Sequence, residues 1–150
     1  MKNPFLICEE IFSQLKNNER IKSFCNNHFG KEFTFQIGFD AEDEPGINDT
    51  PAFVITPINF TPDRSRAMRV ILFRGAIAIK ADRFKIESTK NYKYCPSMQT
   101  ILDLYDLVEE CIMNYGNEIY VNDHGIIENS IDIKHPFIRC FFSYSVQEDY

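Results

Sequence analysis

The sequence predicts an α+β domain, with a mixed or mainly antiparallel sheet and two principal helices packed on one side. Three observations carry this reading. Two segments repeat apolar residues at three- and four-residue steps, the spacing of a helix with one buried face. Six other segments are apolar or alternate at period two, as strands do. The strands come in runs, giving the order α-β-β-β-α-β-β-β, whereas strict strand–helix alternation would build a parallel sheet.

The first helix is expected over residues 4–25. Asn3 can cap it, and Pro4 suits the first helical position, where the missing N–H costs nothing. Cys8, Ile11, Phe12 and Leu15 form its stripe. Asn17-Asn18 weakens the middle and marks a candidate break, and Phe29-Gly30 closes the segment. Phe33, Phe35, Ile37 and Phe39 then alternate with Thr34, Gln36 and Gly38 in a half-buried strand. Residues 40–50 hold five acids, a proline, a glycine and no base, so a loop is expected there. Residues 51–58 read as a second strand that ends at Pro57 or lies at a sheet edge. A turn follows at residues 61–63. Residues 69–80 form the most apolar strand, long enough for a central position, with Gly75 marking a bend or bulge.

Residues 81–94 are a polar connection with a short extended piece at 84–87. The second helix is expected from Pro96 to Gly116, with Ile101, Leu104, Tyr105, Val108, Cys111, Ile112 and Tyr115 inward. Residues 118–121, a turn at 122–125 and residues 126–133 read as a hairpin. The last strand covers 137–146, with Ile138, Cys140, Phe142, Tyr144 and Val146 on one face and Arg139, Ser143 and Ser145 on the other. No repeat or linker divides the chain, so one domain over residues 1–150 is expected.

Composition narrows the function. Hydrophobic residues make up 44% and charged residues 25%, which argues for a packed core. The five cysteines are odd in number and contain no CxxC pair. With no signal-peptide pattern and no run as long as a membrane span, they predict a soluble protein of a reducing, cytosolic compartment, without membrane contact. Asp40, Glu42 and Glu44 have the spacing of the first calcium ligands of an EF-hand, but Pro45 stands where that loop needs glycine. Cys25-x-x-His28 has half the spacing of a zinc site and no second half follows. There is no GxSxG elbow, supported Cys–His pair or glycine-rich phosphate loop. The sequence therefore predicts no cofactor, no metal and no catalysis.

Charge is the remaining signal. The formal net charge is −6, yet residues 63–93 hold nine bases against three acids. That leaves a local +6 against −12 elsewhere, and such segregation suits surfaces that meet opposite charge. The acidic candidates are Asp40, Glu42, Asp43, Glu44 and Asp49. The basic candidates are Arg64, Arg66, Arg69, Arg83, Lys85, Lys90 and Lys93, the last two flanking Tyr92. Bases among aromatics also fit sequence-independent contact with nucleic acid.

A pattern of elements joins these pieces: an amphipathic helix, a strand, an acidic loop, the strand PAFVITPI, a long apolar strand, a polar arm, the helix in YCPSMQTILDLYDLVEECI, a hairpin and a closing strand. This order resembles the tail-terminator and tail-to-head joining (neck) proteins of tailed bacteriophages. The resemblance lies in element order and size over most of the chain. It implies a structural virion protein, assembled as a hexameric ring in the host cytoplasm and carried in the tail or neck. It also implies tail-tube and connector neighbours and a lumen that passes DNA without sequence preference. On the residues alone, a small cytosolic accessory domain that binds another protein is the alternative.

Overall fold

The computed structural model describes residues 3–39, 45–63, 65, 67–86, 89, 91–115, 119–122 and 129–149. The chain is α+β, as its patterning predicts, with three α-helices among the described residues where two principal ones were expected. The first helical segment is divided: α1 runs Pro4–Asn17 and α2 runs Glu19–Phe29. Asn18 makes the break. Its backbone is extended, and its side-chain oxygen accepts a hydrogen bond from the Ile21 N–H at 3.0 Å, capping α2. A short carboxamide that offers the backbone this alternative favours a cap over a helix interior. Asn3 caps α1 in the same way, accepting from Phe5 N–H at 2.8 Å. Gly30 closes α2 with φ 72°, a left-handed conformation in which glycine carries no Cβ penalty.

β1 (Thr34–Ile37), β2 (Ala52–Asp63), β3 (Met68–Lys80), β6 (Ile119–Asn122), β7 (Ser130–Lys134) and β8 (Phe137–Asp149) form one six-stranded sheet in the order β1-β2-β3-β8-β6, with β7 also on β8. β4 (Lys85–Ile86) and β5 (Lys93–Tyr94) form a separate two-stranded ribbon. α3 spans Pro96–Met113. β1 joins β2 in parallel and every other pairing is antiparallel, so the sheet is mixed.

Four local expectations change. β2 does not end at Pro57; it runs to Asp63, so residues 61–63 belong to the strand. β1 stops at Ile37, which leaves β2 on the sheet edge from about Thr56 onward. By alternation from Ile55, whose carbonyl accepts from Gly38 N–H, the Pro57 nitrogen faces that open edge, where no ladder bond is lost. The irregularity assigned to Gly75 lies instead on β2, between Pro57 and Asn59, while Gly75 stays in register with both neighbours. A Cβ at Gly75 would stand 2.2 Å from the Phe142 ring and 3.0 Å from the Val54 carbonyl oxygen. Glycine is required there by close approach.

The expected hairpin of residues 118–133 is also absent from the pairing. β6 pairs with residues 145–148 of β8 and β7 with residues 137–141, both antiparallel. The two are successive stretches along the same edge of β8. Residues 123–128, where most of the expected turn falls, and Glu118 lie outside the described residues. α3 ends at Met113, short of Gly116, which also lies outside them. Asn114 takes over the cap, with its backbone N–H and its side-chain amide both donating to the Glu110 carbonyl.

α1 and α3 cover one face of the sheet, and α2 packs chiefly against these two helices. The core gathers Ile7, Cys8, Ile11 and Leu15 from α1, Ile101, Leu104 and Val108 from α3, and Phe53, Phe73, Ile77, Phe142 and Val146 from the strands. Phe53 and Phe142 stack at 5.6 Å, and Phe12 reaches Phe35 at 4.8 Å. Fully burying a phenylalanine such as Phe53 or Phe142 contributes roughly 1.5–3 kcal/mol. Polar groups also enter this core: the Tyr105 and Tyr144 hydroxyls lie 3.1 Å apart, Asn129 Nδ2 donates to the Tyr105 oxygen at 2.8 Å, and the Tyr115 hydroxyl donates to the Glu10 carboxylate. The face without helices includes several short, buried side chains, among them Ala52, Ala76, Ala78, Ser143 and Ser145.

Candidate functional site

The β4–β5 ribbon is largely exposed. Its base is tied down: Ala81 N–H donates to the Pro136 carbonyl at 2.8 Å, and Asp82 N–H to Ser97 Oγ at 2.7 Å. Ser97 is itself buried in the first turn of α3. Beyond these anchors Lys85 pairs with Tyr94 and Ile86 with Lys93. Phe84, Ile86 and Tyr92 are 45%, 74% and 59% exposed. Side chains two apart on a strand share a face, and directly paired residues do too. Phe84, Ile86 and Lys93 therefore stand on one face, and the Lys93 ammonium lies 6.0 Å from the Phe84 ring centre. Lys85, exposed, belongs to the other face, and Arg83, also exposed, precedes the strand.

A second feature lies on the helix-free face of the sheet. A cleft of about 460 Å³ opens there, lined by Phe39, Thr56, Ile58, Arg74, Ser130 and Phe141. Phe39 and Ile58 are largely exposed. Arg139 borders Phe141, with its guanidinium 5.3 Å from the ring, and is held by two hydrogen bonds to Asp132 at 3.0 and 2.7 Å. A third hollow, of about 280 Å³, lies where the α1–α2 break meets α3, lined by Asn17, Asn18, Arg20, Glu110, Cys111 and Asn114. Arg20 and Glu110 form an exposed ion pair there at 3.0 Å.

Among the described residues, the charged side chains singled out from the sequence do not converge on one point. Arg83, Lys85 and Lys93 all stand on or beside the ribbon. Arg69 is on β3 with its side chain 13% exposed, ion-paired to Glu148 directly across on β8. Its charge is turned toward its own fold. Asp49 sits in a short 3₁₀ turn (Ile47–Asp49), where its carboxylate accepts from Gly46 N–H at 2.8 Å. Asp40, Glu42, Asp43, Glu44, Arg64, Arg66 and Lys90 lie outside the described residues.

Neither a known family model nor a curated protein matches the sequence.

Four of the five thiols are poorly suited to nucleophilic chemistry. Burial pushes Cys8 and Cys25 up to about 12 and Cys140 up to about 11, and it raises Cys111 as well. A thiol held protonated near neutral pH is a weak nucleophile and a poor metal ligand. Among the described residues, no three His, Cys, Asp or Glu side chains gather closely enough to hold a metal ion. No described helix is long and apolar enough to cross a membrane.

Sequence reasoning located the ribbon's charges but missed its exposed apolar side chains and the cleft. One signal for the cleft was present. Phe141 and Phe142 are adjacent in a strand, so one of the two rings must face away from the helices.

Proposed function

We propose that the protein is a structural subunit that assembles with copies of itself into a ring. This is the role of the phage tail-terminator and neck proteins that its order of elements resembles. The observation that carries the reading is the anchored ribbon holding Phe84, Ile86 and Tyr92 in water beside Arg83, Lys85 and Lys93. A fold that has ample room to bury aromatics has left three large side chains on a two-stranded projection, which costs solubility unless a partner covers them. The ribbon's cationic groups would steer it toward acidic groups, and the sequence of the same chain carries five of them, Asp40, Glu42, Asp43, Glu44 and Asp49, within residues 40–50. A ring of such subunits needs no catalytic group, and its basic residues could face DNA in the lumen through phosphate contacts alone.

The test is mass by light scattering at low and high salt, about 0.05 and 1 M, which bracket weak and strong screening. The expected result is a discrete oligomer at low salt that weakens as salt rises. A chain of 17.6 kDa that stays monomeric at low salt would remove the reading.

A further inference from the structure

We propose that the tyrosine-bearing face of the β4–β5 ribbon binds single-stranded nucleic acid, with Tyr92 stacking on a base while Lys85 and Arg83 meet the neighbouring phosphates. The inference does not rest on self-assembly, which the opposite face, with Phe84 and Ile86, suffices to serve. The two faces differ in chemistry. Phe84, Ile86 and Lys93 make one of them largely apolar. Tyr94 pairs with Lys85, so these two share the other. Tyr92 stands with them, its ring 6.2 Å from that of Tyr94 in an edge-to-face arrangement. Such a pair occupies one face of one ring, so Tyr92, 59% exposed, keeps an aromatic face for a planar ligand. Every base has a matching face, which makes this stacking tolerant of sequence.

Charge selects a polyanion. Among the described residues from 80 to 94, Lys80, Arg83, Lys85 and Lys93 are exposed and Asp82 is the only acid. The whole chain carries −6, so its net field repels a polyanion and confines the contact to this projection. A single strand answers both features in one repeating unit, a base beside a phosphate. A duplex answers only the charge, because its bases are stacked on one another and offer the tyrosine no face. The anchors at Ala81 and Asp82 hold the base of the ribbon in place, which lowers the ordering cost of binding.

The experiment follows the fluorescence anisotropy of a labelled oligothymidylate of about 20 nucleotides, longer than most single sites, titrated with the full chain. At ~0.05 M salt the expected dissociation constant lies below about 100 µM, with a log–log salt slope of about −0.7 for each phosphate neutralised. The matching duplex, and polyglutamate as an acidic chain without bases, are each expected to bind at least about tenfold more weakly. Tyr92→Ala should weaken strand binding at least about fivefold, whereas Tyr92→Phe, which keeps the ring, should stay within about twofold. Lys85→Ala should make the salt slope shallower by about 0.7. Unchanged thermal unfolding would show that these variants, all at exposed positions, fold. An oligouridylate of the same length tells whether the strand is RNA or DNA, and binding of neither overturns the proposal. Duplex or polyglutamate binding as tight as the strand's, or a Tyr92→Ala variant that binds like wild type, also overturns it. The sample's mass by light scattering keeps the two readings apart. Strand binding by a monomer removes self-assembly and leaves this inference standing, and an oligomer that ignores the strand does the reverse.

Discussion

Replacing Gly75 by alanine adds a single methyl group at the centre of the sheet. Its Cβ would lie 2.2 Å from two atoms of the Phe142 ring and 3.0 Å from the Val54 carbonyl oxygen. Neither neighbour can move away at low cost. Phe142 is 1% exposed and is hemmed in by Phe53 at 5.6 Å, Tyr144 at 5.3 Å and Tyr105 at 6.0 Å. The Val54 carbonyl belongs to the backbone of a paired strand. Overpacking a rigid core costs about 1–3 kcal/mol and sometimes more, and two close contacts at once place Gly75→Ala near the upper end, at about 3 kcal/mol. For a chain of this length that lowers Tm by roughly 6–12 °C. Urea denaturation followed by far-UV circular dichroism reads the change directly. Phe142→Ala alone should cost about 3–5 kcal/mol through the cavity it leaves. The double variant should cost less than the sum of the two by about 1 kcal/mol or more, because the new methyl occupies space the ring vacated. A Gly75→Ala variant within about 0.5 kcal/mol of wild type, or strictly additive costs, would refute the close-approach account.

Asn18→Ala removes the cap of α2 and should cost about 0.5–2 kcal/mol, whereas Asn18→Asp should retain most of the stability; equal losses for both, measured by urea unfolding, would contradict the capping role. Tyr105→Phe strips a hydrogen-bond partner from the buried Tyr144 and the exposed Asn129, and should destabilise by about 0.5–1.5 kcal/mol, the net worth of a typical hydrogen bond; an unchanged urea midpoint would contradict this. Thiol labelling of the native chain near pH 7.5 should be slow at Cys8, Cys25 and Cys140. Their pKa values, raised to about 11–12, keep the thiolate below about one part in a thousand. Labelling should accelerate as pH rises toward those values or as urea opens the fold. Prompt modification of any of the three at neutral pH, found by peptide mapping, would contradict their burial.

Local signals in the sequence translated well into structure where the deciding contacts were local. The three- and four-residue spacing from Ile101 to Ile112 became α3, and Asn17-Asn18 marked the helix break because a cap acts within three residues. Pairing partners far apart in sequence were not legible. β1 pairs in parallel with β2, and composition carries no record of that direction. Asn122-Asp123-His124-Gly125 reads as a hairpin turn, but β8 is 13 residues long and offers an edge to both flanking strands. A glycine in a strand marks either a bulge or a close approach, and only Phe142, 67 positions on, decides between them at Gly75. The candidate surfaces divide in the same way. Clustered bases were visible from residue 63 to residue 93, but which remain outward was not. Arg69 is neutralised by Glu148, 79 positions away, while Arg83, Lys85 and Lys93 stay on the ribbon.

Particle mass at low salt bears most directly on self-assembly. Native mass spectrometry with negative-stain imaging of the wild-type chain should reveal one closed species of uniform diameter, with a mass that is a whole multiple of 17.6 kDa; the phage resemblance puts that multiple at six. A single species at 17.6 kDa across the accessible concentration range would contradict the account.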